Sequence, residues 1–74
     1  MNEGISINPA ICHGKPVLEG TRVLVSTVLG ALAGGDSPSD VAEDYSISLE
    51  QVSAALRFAS SIADFQTATY EEVA

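Results

Sequence analysis

The sequence predicts a small, mainly α-helical domain in which three helices follow a short β-element. Helix start signals recur at Ser26, Ser37-Pro38 and Ser48, and Gly34-Gly35 supplies a stop signal between the first two. The third segment carries apolar residues spaced i, i+3, i+4 and i+7, which predict a buried stripe: Val52, Ala55, Leu56 and Ala59. The 74 residues suit a single domain, and we find no internal repeat.

The first 25 residues predict a segment of strands and turns. Apolar and polar residues alternate at its start, and Asn8-Pro9 resembles a helix cap followed by proline. Pro16 biases the residue before it away from the α conformation. The expected elements are a strand at 5–7, one helical turn at 9–12, a connection at 13–16, and strands at 17–18 and 22–25 around a Glu19-Gly20 turn.

Residues 26–65 predict the three-helix unit. Ser26 is the expected N-cap of the first helix, and Ser37 with Pro38 opens the second. Ser48 and Gln51 match the capping-box pattern at the start of the third, which we expect to reach residue 65. The second helix has an apolar face of Val41, Ala42 and Tyr45. Residues 66–74 are acidic and predict a flexible tail.

The formal net charge is −7, and Lys15, Arg22 and Arg57 are the only cations. We therefore expect an acidic protein that binds DNA only weakly or with a partner, because tight phosphate binding needs several Lys or Arg. One Cys and one His allow neither an internal disulfide nor a closed zinc site, and no cofactor is expected. No run of about 18 apolar residues predicts a membrane span, and the start does not resemble a signal peptide, so we expect a cytoplasmic location.

A homodimer is also expected. The core is thin and rich in Ala, and a domain of this size commonly gains stability by oligomerisation. Five apolar residues of the N-terminal segment are ones that three short helices cannot easily cover: Ile5, Ile7, Val17, Leu18 and Val23.

Residues 38–57 resemble a helix-turn-helix unit, although Ser46 stands where such turns usually prefer Gly. Gln51, Ser53 and Arg57 are the possible DNA-facing residues. Glu50 and the acidic residues of the preceding helix would repel the phosphates there. The alternative interpretation is a corner of two helices that closes a small core.

The segments Gly14-Lys15-Pro16-Val17 and Gly20-Thr21-Arg22-Val23 are the most distinctive in the chain. With them, residues 5–63 resemble the short prokaryotic proteins known as the domain of unknown function 433 family. The resemblance implies a homeodomain-like three-helix fold with an N-terminal β-element. It also implies an antitoxin-like subunit, a partner of PIN-like nuclease toxins. The positions that match the motif are Gly14, Lys15, Pro16, Gly20, Thr21 and Arg22, and none implies catalysis.

Arg22, helped by Lys15, is the candidate contact with such a partner. PIN-like nucleases hold Mg²⁺ with carboxylates, and a guanidinium can pair with carboxylates in bidentate fashion. Two alternatives stay open. Arg22 can pair within the chain, with Glu19 or an acidic helix residue, while Gly14 and Gly20 only permit tight turns. It can also contact nucleic acid.

A catalytic role is not expected. Cys12 and His13 are adjacent on a segment expected to be extended, where their side chains would point apart, and no third group orients the imidazole. The carboxylates are scattered over helix surfaces, so no metal site is expected. The sequence thus predicts a non-enzymatic interaction module, which the family resemblance implies to be antitoxin-like. The alternative is a dimeric helix-turn-helix transcriptional regulator that binds DNA.

Overall fold

The computed structural model describes residues 3–65, with side chains as far as Asp64. Two short strands, β1 (Ile5–Ser6) and β2 (Val17–Leu18), flank a 3₁₀ turn at Cys12–Gly14. Three helices follow: α1 (Val25–Ala33), α2 (Pro38–Asp44) and α3 (Leu49–Phe65). The predicted fold class, a mainly helical protein with a short N-terminal β-element, is confirmed. The tail expected at 66–74 lies outside the described residues.

The strands form a two-stranded antiparallel sheet in which Ile5 pairs with Leu18 and Ser6 with Val17. Both members of β2 are fully buried, and Ile5 is nearly so. The N-terminal segment is therefore part of the core, and the expectation that three helices cannot cover it is wrong for these residues. Ile7 is different, with 53% of its surface exposed.

The core lies where the strands meet the inner faces of the helices. Its buried members are all aliphatic and small to medium in size: Ile5, Val17, Leu18, Val25, Val28, Val41, Val52, Ala54 and Ala55. The stripe predicted on α3 is correct for Val52 and Ala55 but wrong for Leu56, of which 45% is exposed. Ala54 is buried instead, because Gly4 at the start of the N-terminal segment packs on it; a Cβ on Gly4 would lie 3.0 Å from the Ala54 Cβ.

The helix ends of α2 and α3 follow the predicted signals. The Ser37 hydroxyl accepts a bond from the Asp40 amide at 3.1 Å, with Pro38 at the first helical position. At α3 the capping box is complete: the Gln51 amide donates to the Ser48 hydroxyl at 3.1 Å, and the Ser48 amide donates to the Gln51 side chain at 2.9 Å. Both interactions satisfy amides that have no partner inside the helix.

Two helices end in the same hydrogen-bonded motif. After α1, Gly35 takes a φ of 107°, its amide donates to the Leu32 carbonyl, and the Asp36 amide donates to Ala31. After α2 the residue in that position is Ser46, with φ 56°. The Ser46 amide donates to Glu43 and the Ile47 amide to Ala42, at 3.3 and 2.9 Å. Serine thus occupies a left-handed position that favours glycine.

The N-terminal elements differ in detail from those predicted. Ser26 is not the N-cap of α1; Leu24 occupies that position and makes no side-chain cap bond. Leu24 bridges Val17, and the Val25 amide donates to the Pro16 carbonyl at 3.0 Å. Strand pairing therefore holds the chain until residue 24. The predicted 22–25 strand is reduced to one bridge, and the N-cap of α1 lies two residues earlier than predicted.

The helical turn predicted at 9–12 is also displaced. The Ala10 amide donates to the Asn8 side chain and the Ile11 amide to the Asn8 carbonyl, so Asn8 does stabilise a turn. Ile11 is extended, with φ −123°, which interrupts the turn before the 3₁₀ element begins at Cys12.

Candidate partner-binding site

The turn at Cys12–Gly14 is the most strained part of the described backbone. Its three residues have φ values of 51°, 60° and 81°, all in the left-handed region. Only Gly14 adopts that conformation without a penalty, and the two non-glycine residues cost about 1–2 kcal/mol each. The Gly14 amide donates to the Ile11 carbonyl at 3.0 Å and the Lys15 amide to the Cys12 carbonyl at 3.2 Å. These bonds fix the backbone on which Lys15 stands.

The Cys12 side chain joins this turn to the segment that carries Arg22. The half-buried thiol donates to the Arg22 carbonyl at 3.8 Å, within the reach of a sulfur donor. The expectation that Cys12 and His13 lie on extended backbone is wrong, because both residues are left-handed. Their side chains nevertheless form no hydrogen bond to each other within residues 3–64.

Thr21 and Gly20 shape the tight turn that precedes Arg22. The Thr21 amide and hydroxyl both donate to the Leu18 carbonyl, at 2.9 and 2.8 Å, and the hydroxyl accepts from the Val23 amide at 3.0 Å. Gly20 has φ 79°, as the third residue of a type II turn requires. Arg22 therefore follows a turn that is closed on both sides by hydrogen bonds.

Lys15 and Arg22 are both exposed, and neither side chain has a hydrogen bond or ion pair within residues 3–64. The internal pairing of Arg22 with Glu19 or an acidic helix residue is therefore wrong. The ion pair that the described residues do contain joins Arg57 to Glu50 on α3, with a distance of 2.8 Å between Nη2 and Oε2. Among the described residues, therefore, no carboxylate pairs with either motif cation.

Lys15 also lines a shallow groove of about 390 Å³ between the N-terminal segment, α1 and α3. The other lining residues are mostly apolar: Pro16, Val25, Ser26, Leu29 and Phe58. Sequence reasoning missed this surface. The sequence pattern identifies Leu29 and Phe58 only as apolar helix residues. It does not indicate that both side chains stay half-buried beside Lys15.

The possible DNA-facing residues do not form a cationic surface. The Gln51 side chain is held in the capping box, and the Arg57 guanidinium is paired with Glu50. Ser53 is exposed. The exposed side chains of α2 include three carboxylates: Asp40, Glu43 and Asp44.

The described residues contain neither a metal-binding group of side chains nor a membrane-spanning helix. Within residues 3–65, no group of three or more His, Cys, Asp or Glu side chains is placed to bind a metal ion. In the same range, no helix has both the length and the apolar character needed to cross a bilayer.

Comparison with known proteins gives a family and two relatives. Residues 5–59 match the model of a family described as "Protein of unknown function (DUF433)". The chain is 37% identical over 54 residues to the uncharacterized protein Rv2308 of Mycobacterium tuberculosis, covering 73% of this chain and 23% of that protein. The crystal structure of Rv2018 from Mycobacterium tuberculosis superposes with a TM-score of 0.64 and 36% identity, over 70% of this chain and 24% of that one. The chain thus spans about a quarter of the length of each relative.

Proposed function

The chain belongs to the DUF433 family, and we propose that it acts as a non-enzymatic module that binds an acidic surface of a partner protein. The proposal rests on the exposure of the two motif cations and on their lack of pairing among the described residues. Lys15 and Arg22 are exposed and unpaired within residues 3–64, although the chain has ten acidic residues. Both stand on backbone fixed by hydrogen bonds. Little backbone freedom is then lost when a partner binds them.

The partner we propose is a PIN-like nuclease toxin, which makes this chain an antitoxin-like subunit. A nuclease of that kind presents a cluster of carboxylates for Mg²⁺, and Arg22 can form paired, charge-assisted hydrogen bonds with such a cluster. Occupying those carboxylates would prevent metal binding and so neutralise the nuclease. This proposal also fits a cytoplasmic location, which stays a prediction.

DNA binding through α2 and α3 is the alternative, and it has less support. Arg57 is paired with Glu50, and the solvent-facing side chains of α2 include three carboxylates. Duplex phosphates would be repelled unless a basic partner supplied charge. Salt-dependent retention of the purified protein on duplex DNA separates the two functions, and tight retention at physiological salt would favour the alternative.

A homodimer stays a prediction. Of the five N-terminal apolar residues that suggest one, Ile7 is more than half exposed, so the argument now depends on less surface. Light scattering at micromolar concentration tests it, and a stable monomer would end it.

The decisive experiment compares Arg22→Ala with Arg57→Ala as affinity baits in the native host, followed by reconstitution with any captured nuclease. We expect wild type and Arg57→Ala to retain and neutralise the nuclease. Arg22→Ala should lose about 2–5 kcal/mol of binding free energy, as is typical when one partner of a buried charge pair is removed. Circular dichroism must show the variant folded. Normal binding by folded Arg22→Ala would overturn the proposed role of Arg22.

A further inference from the structure

The groove beside Lys15 has an apolar floor that the described residues, 3–64, do not cover. Leu29 of α1 and Phe58 of α3 are half-buried, and both contact the core on one side and border the groove on the other. Its volume, about 390 Å³, lies at the small end of the range for sites that bind small groups, about 300–1,000 Å³. A space of this size and character suits one bulky apolar side chain.

The rim of the groove, in contrast to its apolar floor, is positively charged. The Lys15 ammonium is exposed and has no ion-pair partner in residues 3–64. Val25 and Ser26, the first two residues of α1, line the same groove, and α1 begins without a side-chain cap. The positive end of the helix dipole adds to the charge of Lys15. A negative group is therefore favoured at the edge of an apolar floor.

We infer that the groove seats a segment of the partner protein in which a bulky apolar side chain stands beside a carboxylate. The inference rests on the proposed function, since it names the part of the partner that docks. Charge complementarity selects this occupant: the apolar side chain would remove Leu29 and Phe58 from water, while the carboxylate would pair with Lys15. Arg22 then reaches further acidic groups outside the groove.

Two matched probes test the inference on the full chain. The probes are acetyl-Glu-Phe-amide and acetyl-Gln-Phe-amide, which differ only in charge, titrated into ¹⁵N-labelled protein. We expect both to shift the backbone amide signals of Ser26, Leu29 and Phe58. The acidic probe should bind about two- to fivefold more tightly, as for an exposed ion pair. Lys15→Ala should remove most of this preference, leaving at most the part due to the helix dipole, and Arg57→Ala should keep it in full.

Several results would overturn the inference. Equal affinity for the two probes, an undiminished preference in Lys15→Ala, or shifts confined to other residues would each do so. Shifts of the three groove signals on dilution without probe would identify a second copy as the occupant. The probes require no nuclease, so a negative titration leaves the Arg22 capture experiment intact. A failed capture with normal probe binding would reject the nuclease partner instead.

Discussion

Residues 3–24 and residues 25–65 differ in what fixes their backbone. In the helical part, local signals decide: Ser37 and Ser48 cap α2 and α3 with their own side chains. In the N-terminal segment, contacts between distant residues decide. The Cys12 thiol meets the Arg22 carbonyl, and the Glu19 amide donates to the Gly4 carbonyl at 2.8 Å.

The charges of the two regions differ in the same way. Arg57 in the helical part is neutralised by Glu50, seven residues earlier on the same helix. Lys15 and Arg22 in the N-terminal segment have no such neighbour within residues 3–64. The segment with the more strained backbone thus also holds the two cations that have no ion-pair partner in residues 3–64. Strained, over-determined backbone with free functional groups is typical of binding sites.

The largest effect on stability is expected from a substitution in the part of the N-terminal segment that lies in the core. Leu18 is fully buried, and Leu18→Ala should cost about 2–5 kcal/mol, against a total of about 3–5 kcal/mol for a core of this size. We expect the variant to be largely unfolded by circular dichroism. Leu56→Ala removes the same atoms from a half-exposed site and should melt within a few degrees of wild type. If both variants melt alike, the segment is an appendage.

Alanine substitutions at two glycines of the N-terminal segment distinguish the cost of backbone strain from the cost of a packing clash. Gly4 and Gly20 have nearly equal φ, 80° and 79°. A Cβ on Gly4 would press on the Ala54 Cβ at 3.0 Å, whereas a Cβ on Gly20 has no atom within 4 Å. Gly20→Ala should cost about 1–2 kcal/mol from conformation alone, and Gly4→Ala should cost more. Chemical denaturation measures both, and a Gly20→Ala variant as stable as wild type would refute the role of positive φ.

A stabilising substitution is expected in each region. Ser46 and His13 are exposed residues with φ of 56° and 60°. Ser46→Gly and His13→Gly should each raise the free energy of unfolding by about 0.5–1 kcal/mol, because relief of strain exceeds the added flexibility of the unfolded chain. Thermal melting tests this. A lower melting temperature for His13→Gly alone would mean that the imidazole itself stabilises the turn.

The smallest effect is expected from the ion pair on α3. Both side chains are exposed, so Arg57→Ala should change stability by less than about 0.5 kcal/mol. The same small change is expected for Arg22→Ala, whose side chain contacts no partner in residues 3–64. The two variants should therefore differ in partner binding and not in melting. A clear loss of stability in Arg22→Ala would show that the arginine has a structural role.

The sequence predicted elements best where the deciding interaction spans a few residues. The caps at Ser37 and Ser48 and the stop at Gly34-Gly35 need only three to five neighbouring residues, and all were confirmed. Ser26 was wrongly chosen as a cap, because the bridge from Leu24 to Val17 is invisible to local pattern. Leu56 was wrongly placed in the core for a similar reason: the packing of Gly4 on Ala54, 50 residues away, is not visible in the local pattern.

The candidate site could be predicted in part. The motif indicated Lys15 and Arg22, and it indicated tight turns at Gly14 and Gly20, where the structure has positive φ. That Arg22 has no ion-pair partner within residues 3–64 could not be predicted, because Glu19 lies only three residues away and the spacing does not tell which way the two side chains point. The groove could not be predicted either, since it exists only where α1 and α3 leave Phe58 uncovered.

The contact between Gly4 and Ala54 has a consequence for how the chain folds. It joins residues 50 positions apart, so β1 cannot complete its packing until synthesis has passed Ala54, the sixth of the 17 residues of α3. During translation the first strand must wait for the last helix, and closing so long a loop comes late and slowly. We therefore expect the N-terminal segment, which carries Lys15 and Arg22, to reach its final shape only after the helices have formed. The surface proposed to meet a partner would then be assembled last.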